Sequence, residues 1–193
     1  MSASDLQALV AARSLAVVGL GLNTGLMLSI PALSIPALKA TTSLTAQQRL
    51  TLWSNLYEKG KAVMVKLQPT LTLLLAYASY AAARPVDYLP ANTVARYRKP
   101  ILAVASALTI SIVGFTGVAI MPLNKRMQKM EREASGFVLL FLPFLVAVLT
   151  GLPPVASTAQ ADSLIGQWSR LHAVRIALGS TAFALAVSEL ALA

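Results

Sequence analysis

The only histidine of the chain, His172, lies in a short C-terminal run of residues that can carry chemistry. Trp168, His172 and Arg175 are spaced i, i+4 and i+7, which places all three on one face of a helix. An imidazole titrates near neutral pH, and ionisable groups at membrane depth are functional candidates by default. The structural alternative is that Arg175 extends to lipid headgroups while His172 hydrogen-bonds to a neighbouring helix.

A second group of polar residues follows a later apolar run. Thr109, Ser111 and Thr116 lie inside it, and Asn124 lies at its end. Hydroxyls in membrane helices usually donate to a carbonyl of the preceding turn, so we expect these three to be structural. The Asn124 amide is a candidate for binding a ligand oxygen.

Aromatic residues provide a third candidate surface. Trp53 and Tyr57 are one helical turn apart and can either line a pocket or anchor the chain at a membrane interface. Asn23 and Thr24 lie deep in the first apolar run, where an amide needs a partner on a neighbouring helix. Glu189, near the C-terminus, is expected to be solvated or to lie at the level of the lipid headgroups.

Several chemistries are excluded by residue types. The chain has no cysteine, which removes thiolate nucleophiles and cysteine metal sites. A single histidine cannot supply a facial iron triad, and Asp162 and Glu58 show no ligand spacing. The sequence therefore predicts no organic cofactor, and it leaves a metal ion open.

The elements that position these residues are predicted to be membrane helices. The 193 residues are 56% hydrophobic and 12% charged, with a mean hydropathy of +0.69. Soluble domains carry about 25% charged residues, so lipid is the expected surroundings. The net charge of +9 lacks the basic stripe with interleaved aromatics that nucleic-acid binding requires.

Four apolar runs predict four spans, at about 9–30, 62–83, 100–121 and 163–193. The first ends in a tandem repeat, residues 29–38, whose prolines should kink or terminate the helix. Residues 39–61 form an amphipathic stretch, and Pro122 and Asn124 mark a predicted exit into water. A further apolar segment at about 137–152 is short enough to be re-entrant or interfacial.

The predicted fold is therefore an all-α integral membrane bundle of four transmembrane helices, forming a single domain over residues 1–193. With four spans, eleven Lys and Arg collect on one side and five on the other. The richer side is predicted to be cytoplasmic.

Three motifs in series carry a resemblance. Residues 109–116 run into Met121-Pro122-Leu123-Asn124, and residues 167–175 contain Trp-x-x-Leu-His-x-x-Arg. Trp53, Leu56, Tyr57 and Gly60 add Trp-x-x-Leu-Tyr-x-x-Gly. Together these elements resemble the anthrone oxygenases of fungal polyketide pathways, which are small four-helix membrane proteins.

The resemblance implies an enzyme that oxidises an anthrone, at the carbon opposite its ketone, to an anthraquinone with O2 as co-substrate. As a mechanistic hypothesis for this reaction, His172 is the base, Arg175 holds the developing oxyanion, and Asn124 hydrogen-bonds to a phenol or ketone oxygen of the substrate. Trp168 and Tyr57 would stack on the substrate, with Trp53 and Thr116 completing the binding residues. The expected partners are an apolar aromatic small molecule and the bilayer, with a homodimer left open.

The chain departs from the family around the Tyr-x-x-Gly element. Members often carry histidines there, where this chain has Glu58 and Lys61. This departure keeps an alternative open, namely a non-catalytic membrane scaffold or assembly protein that keeps the fold of the family. For a eukaryotic chain the expected location is an intracellular membrane such as the endoplasmic reticulum.

Overall fold

The computed structural model describes residues 3–82, 93–139 and 157–192. Every regular element within these ranges is helical, as predicted. The elements in chain order are α1 (Ala3–Ser29), a first π-helical turn (Ile30–Ser34), α2 (Ile35–Ala40), α3 (Ala46–Ala81), α4 (Thr93–Phe115), a second π-helical turn (Thr116–Ile120), α5 (Met121–Leu139) and α6 (Thr158–Leu192).

Four helical stretches are long and apolar enough to cross a membrane: Ser4–Ala40, Ala46–Ala81, Tyr97–Glu133 and Thr158–Ala191. Their outer surfaces are apolar as well, because large side chains such as Leu15, Val18 and Leu22 on α1 are more than half exposed. Apolar surface of this extent suits lipid better than water. The prediction of an all-α protein with four such helices is confirmed, and it indicates a multi-pass membrane protein.

Helix α3 begins well before the predicted second span. A reciprocal capping box starts it: the Thr45 N–H donates to Gln48 Oε1 at 2.9 Å, and the Gln48 N–H donates to Thr45 Oγ1 at 3.2 Å. Residues 46–61, predicted as an amphipathic stretch of their own, are continuous with the apolar residues that follow. Pro69 lies inside this helix without ending it.

The proline repeat changes the helix type without ending the helix. Pro31 lies in the first π-helical turn, and the chain then continues as α2 to Ala40. The second π-helical turn leads from α4 into α5 in the same way. Pro122 and Asn124 therefore lie inside a helix, and the predicted exit into water is wrong because Asn124 is buried.

The apolar segment predicted at about 137–152 falls largely outside the described residues. Helix α5 ends at Leu139, and residues 140–156 are not described. Whether that segment is re-entrant or interfacial stays a prediction.

The chain divides into two compact units. The first unit comprises Met1–Leu28, Ala62–Thr116 and Val174–Ala193, and the second comprises Ser29–Lys61 and Gly117–Ala173.

Small residues build the core of the first unit. Ala16, Ala78, Ala105 and Ala182 are fully buried against leucines of the same unit. Gly179 extends this pattern, since a Cβ there would lie 2.6 Å from the Met27 Cε atom. Close helix approach through small residues is typical of membrane bundles, in which dispersion forces replace the hydrophobic effect.

A buried ionic cluster joins three helices of the first unit. Arg13 Nε donates to Glu189 Oε2 at 2.8 Å, and Arg13 Nη2 forms an ion pair with Glu189 Oε1 at 2.8 Å. Arg98 Nε lies 3.6 Å from the same Oε1 atom. Glu189 is only 1% exposed, so the prediction that it is solvated is wrong. Arg13 and Arg98 come from different helices, and both lie against this one carboxylate.

The amide in the first helix also has its expected partner. Gln68 Nε2 donates to Asn23 Oδ1 at 3.3 Å, and both side chains are buried in the first unit. This bond links α1 to α3, which confirms the prediction that the Asn23 amide contributes to helix packing.

Replacing Glu189 should destabilise the first unit strongly. Glu189→Gln removes the charge that two buried guanidinium groups share, and breaking a buried ion pair costs about 3–5 kcal/mol. Unfolding in detergent, followed by circular dichroism, should show a large drop in Tm. Glu133→Gln is the matched control, because Glu133 forms only an exposed pair with Lys129 at 3.7 Å. Equal Tm values for the two variants would contradict a stabilising role for the cluster.

Candidate functional site

A buried arginine organises the second unit. Arg49 donates to the carbonyl oxygens of Leu38 at 3.3 Å, Thr41 at 2.9 Å and Leu44 at 3.4 Å. The end of α2 leaves carbonyls without partners inside the helix, and the guanidinium satisfies them. Arg49 Nη1 also lies 3.1 Å from Asp162 Oδ1, near the start of α6. One side chain therefore fixes the end of α2 and the start of α6 to α3.

Aromatic rings lie directly beyond this arginine on both helices. Trp53, one turn after Arg49, stacks on Tyr57 with ring centroids 5.4 Å apart and planes 2° apart. Trp53 also meets Trp168 edge to face at 6.0 Å, and Trp168 stacks on His172 at 4.7 Å. Trp53, Tyr57, Trp168 and His172 thus form a continuous aromatic cluster between α3 and α6. Of the sequence-predicted site residues, the structure brings these four together in one series of ring contacts.

Several buried polar atoms in the second unit have no hydrogen-bond partner among the described residues. They are the indole Nε1 atoms of Trp53 and Trp168 and both side-chain atoms of Asn124. All three side chains are at most 3% exposed. A buried polar group without a partner costs about 1–3 kcal/mol, so three in one small unit require an explanation. Groups kept ready for a ligand oxygen would provide one.

A cavity of about 320 Å³ reaches the aromatic cluster at Trp53. Its other walls are mostly apolar and come from α2, the following loop and α3, including Leu38, Leu44, Leu52 and Leu56. Ligand sites commonly begin at about this volume and combine apolar walls with a few polar groups. The cavity therefore suits a flat apolar molecule that contacts the Trp53 ring.

Tyr57 and the two positions that depart from the family pattern lie at the edge of the cluster. The Tyr57 hydroxyl donates to Met121 Sδ at 3.9 Å. Glu58 and Lys61 are exposed, pair with each other at 3.1 Å, and Glu58 accepts a hydrogen bond from Gln128 at 2.8 Å. Lys61 Nζ lies 5.6 Å from the centre of the Tyr57 ring. These two charges form a surface pair at the edge of the cluster, which Lys61 meets at the Tyr57 ring.

The remaining predicted site residues belong to the first unit. Arg175 is half-buried there. Thr116 donates to the Ile112 carbonyl at 2.6 Å, and Thr109 and Ser111 make the same bond to the preceding turn at 2.8 and 2.7 Å. These hydroxyls donate within their own helix, as expected from their types, and a role of Thr116 in substrate binding stays a prediction.

Sequence reasoning missed the importance of Arg49. Its guanidinium is buried and donates to backbone carbonyls and to Asp162. Its partner Asp162 is 113 residues away, so no local spacing could reveal the pair. Among the described residues, no group of three or more His, Cys, Asp and Glu side chains is arranged to hold a metal ion.

Comparison with known proteins gives a consistent result. A family model described as anthrone oxygenase matches residues 53–185, a range that contains the whole aromatic cluster and Asn124. The chain is 26% identical to the anthrone oxygenase AgnL2 of Paecilomyces divaricatus, over 85% of each chain. It is 27% identical to the anthrone oxygenase tpcL of Aspergillus fumigatus, over 79% of this chain and 76% of that one. No solved structure matches the chain.

Replacing Arg49 should loosen the end of α2 and the start of α6. Arg49→Met keeps the length of the side chain but leaves three carbonyls without their donor, at a cost of about 3 kcal/mol. Hydrogen exchange should rise at residues 35–45 and 158–165, and Tm should fall. Arg132→Met is the control, because Arg132 is exposed. A control that shifts Tm as much as Arg49→Met would refute the organising role of Arg49.

Proposed function

Because this chain belongs to the anthrone oxygenase family, we propose that it oxidises an anthrone-type polyketide to an anthraquinone with O2, inside an intracellular membrane. The observation that supports a working site is a set of unpartnered side-chain groups buried in the second unit, namely the two indoles of the aromatic cluster and the Asn124 amide. The proposed site consists of residues of the second unit alone: Trp53, Tyr57, Asn124, Trp168 and His172.

The reaction is proposed to begin with a proton transfer. The methylene opposite the anthrone ketone is acidic because the resulting anion is delocalised over three rings and the ketone oxygen. His172 takes that proton, because histidine is the side chain that most often acts as a general base. Stacking on Trp168 fixes the plane of the imidazole, which sets the direction from which it approaches the carbon.

Hydrogen-bond donors would stabilise the anion that forms. Negative charge collects on the former ketone oxygen, and the Asn124 amide and the two indole N–H groups are donors without other partners among the described residues. Such donors are effective because they are already oriented and act in a medium of low dielectric constant. Their desolvation cost is borne by the folded protein before the substrate binds.

Molecular oxygen completes the proposed reaction without a further oxidant. The carbanion adds O2 and regains a proton from His172, giving a hydroperoxide at the former methylene carbon. The remaining hydrogen on that carbon then leaves as a proton while the O–O bond breaks and water departs. One oxygen atom ends in the new carbonyl and the other in water, which balances anthrone plus O2 against anthraquinone plus water.

A colour assay separates this proposal from its rival, a non-catalytic scaffold with the family shell. An anthrone is added to membranes from expressing cells, and the visible absorbance of the anthraquinone is followed. Membranes from cells with the empty vector measure the spontaneous oxidation. A rate equal to that background would favour the scaffold.

Loss of His172 should remove the base. His172→Ala is expected to slow quinone formation by about 10²–10⁴-fold, which is the usual contribution of a general base. Added imidazole should restore part of the rate in the variant and leave wild type unchanged. Membrane insertion is checked by protease protection. A His172→Ala variant that turns over at the wild-type rate would rule out this role.

Replacing Asn124 is expected to raise the stability of the protein and to lower its activity. Asn124→Leu removes a buried amide without partners, so the free energy of unfolding should rise by about 1–3 kcal/mol. Quinone formation should fall by about 10²–10³-fold if the amide stabilises the anion. Asn23→Leu is the control and should lower stability, because it breaks the bond from Gln68. An Asn124→Leu variant with lower stability and full activity would contradict both expectations.

A further inference from the structure

A second groove lies in the second unit, on the faces of α5 and α6 next to those that carry Asn124, Trp168 and His172. It has a volume of about 510 Å³, and Arg126, Arg170 and Gln167 are among its lining residues. Pro122, Leu123 and Leu171 contribute apolar walls. Its lining contains no carboxylate, which makes it a site of positive potential on an apolar base.

The charges around this groove favour an anion. The second unit carries nine Lys and Arg against four Asp and Glu. Arg126 and Arg170 are both exposed, so their guanidinium groups are available to a ligand. Guanidinium groups bind phosphate oxygens through paired hydrogen bonds, and two of them on one groove can hold a phosphate from two directions.

The position of the groove along the helices favours a lipid. On the chain that leads into α5, residues 101–124 carry no charge, and a charged run begins at Lys125. On α6 the order is reversed, because residues 176–188 carry no charge and Arg170 precedes them. The groove thus lies where apolar helix surface gives way to charged surface, which is the level of lipid headgroups.

From these observations we infer that this groove binds an anionic glycerophospholipid, with the phosphate held by Arg126 and Arg170. Gln167 donates to a further headgroup oxygen, and Pro122, Leu123 and Leu171 contact the glycerol and the first acyl carbons. Basic pockets between helices on the cytoplasmic side bind anionic headgroups in this manner. The inference is independent of the proposed oxygenase reaction.

Native mass spectrometry of the purified full chain tests the inference. The protein is mixed with equal amounts of phosphatidylserine and phosphatidylcholine of identical acyl chains, and bound lipid is counted. Wild type should retain phosphatidylserine preferentially. The double variant Arg126→Gln, Arg170→Gln should lose about 30-fold in affinity for it, which corresponds to two cations near a membrane surface. Both residues are exposed, so the variant should fold.

Two further measurements distinguish this site from other anion binding. The control Lys125→Gln, Lys129→Gln removes the same charge from exposed positions of α5 outside the groove, and it should keep the preference. Equal losses in the two double variants, or no loss in either, would overturn the proposal. Glycerophosphoserine, which lacks acyl chains, should compete weakly. Competition as strong as that of the intact lipid would reveal a site for a soluble anion and overturn the lipid assignment.

Discussion

Polar side chains in an apolar helix bundle must find hydrogen-bond partners inside the protein, because lipid supplies none. The first unit meets this constraint largely through long-range contacts, although Asn23 Nδ2, Thr24 Oγ1 and Gln68 Oε1 are buried there without a partner among the described residues. Glu189 neutralises part of the charge of two arginines, and Gln68 bonds to Asn23. Ser79 and Ser106 reach backbone carbonyls of neighbouring helices at 3.0 and 3.1 Å. Each of these bonds links two helices, so the contacts that satisfy buried polar groups also hold the helices of the unit together.

The second unit obeys the constraint only in part, and the exception is informative. Arg49 satisfies the carbonyls at the end of α2 and pairs with Asp162, whose side chain is 36% exposed. In the same unit, Asn124 and two indole groups are buried without partners among the described residues. The same unit provides an arginine that hydrogen-bonds to buried backbone carbonyls, so a partner for a buried amide is also within its means. The proposed function uses these unbonded donors to bind a substrate oxygen.

Local chemistry was predictable from the sequence, whereas distant pairing was not. Apolar length and composition were enough to predict four membrane-type helices, and the hydroxyl of Thr109 bonds to the preceding turn as its type requires. The end of the third predicted span was placed wrongly. A π-helical turn precedes Pro122, and the helix continues through this proline although prolines usually end helices. The sequence did not single out Arg49, and the burial of Glu189 was not predicted, although both side chains are buried. Their partners are 113 and 176 residues away, and no periodicity encodes such contacts.

The same reasoning explains why a chain with one histidine suffices for the proposed oxidation. The anion of an anthrone is itself the electron donor to O2, so the protein contributes a base, oriented donors and exclusion of water. A metal centre built by several histidines would serve a substrate that cannot form such an anion. Glu58 and Lys61, where the sequence departs from the pattern it resembles, form an exposed pair, and Lys61 Nζ lies 5.6 Å from the centre of the Tyr57 ring. Under the proposed mechanism, the departure at these two positions changes the surface beside Tyr57 and leaves the reacting groups in place.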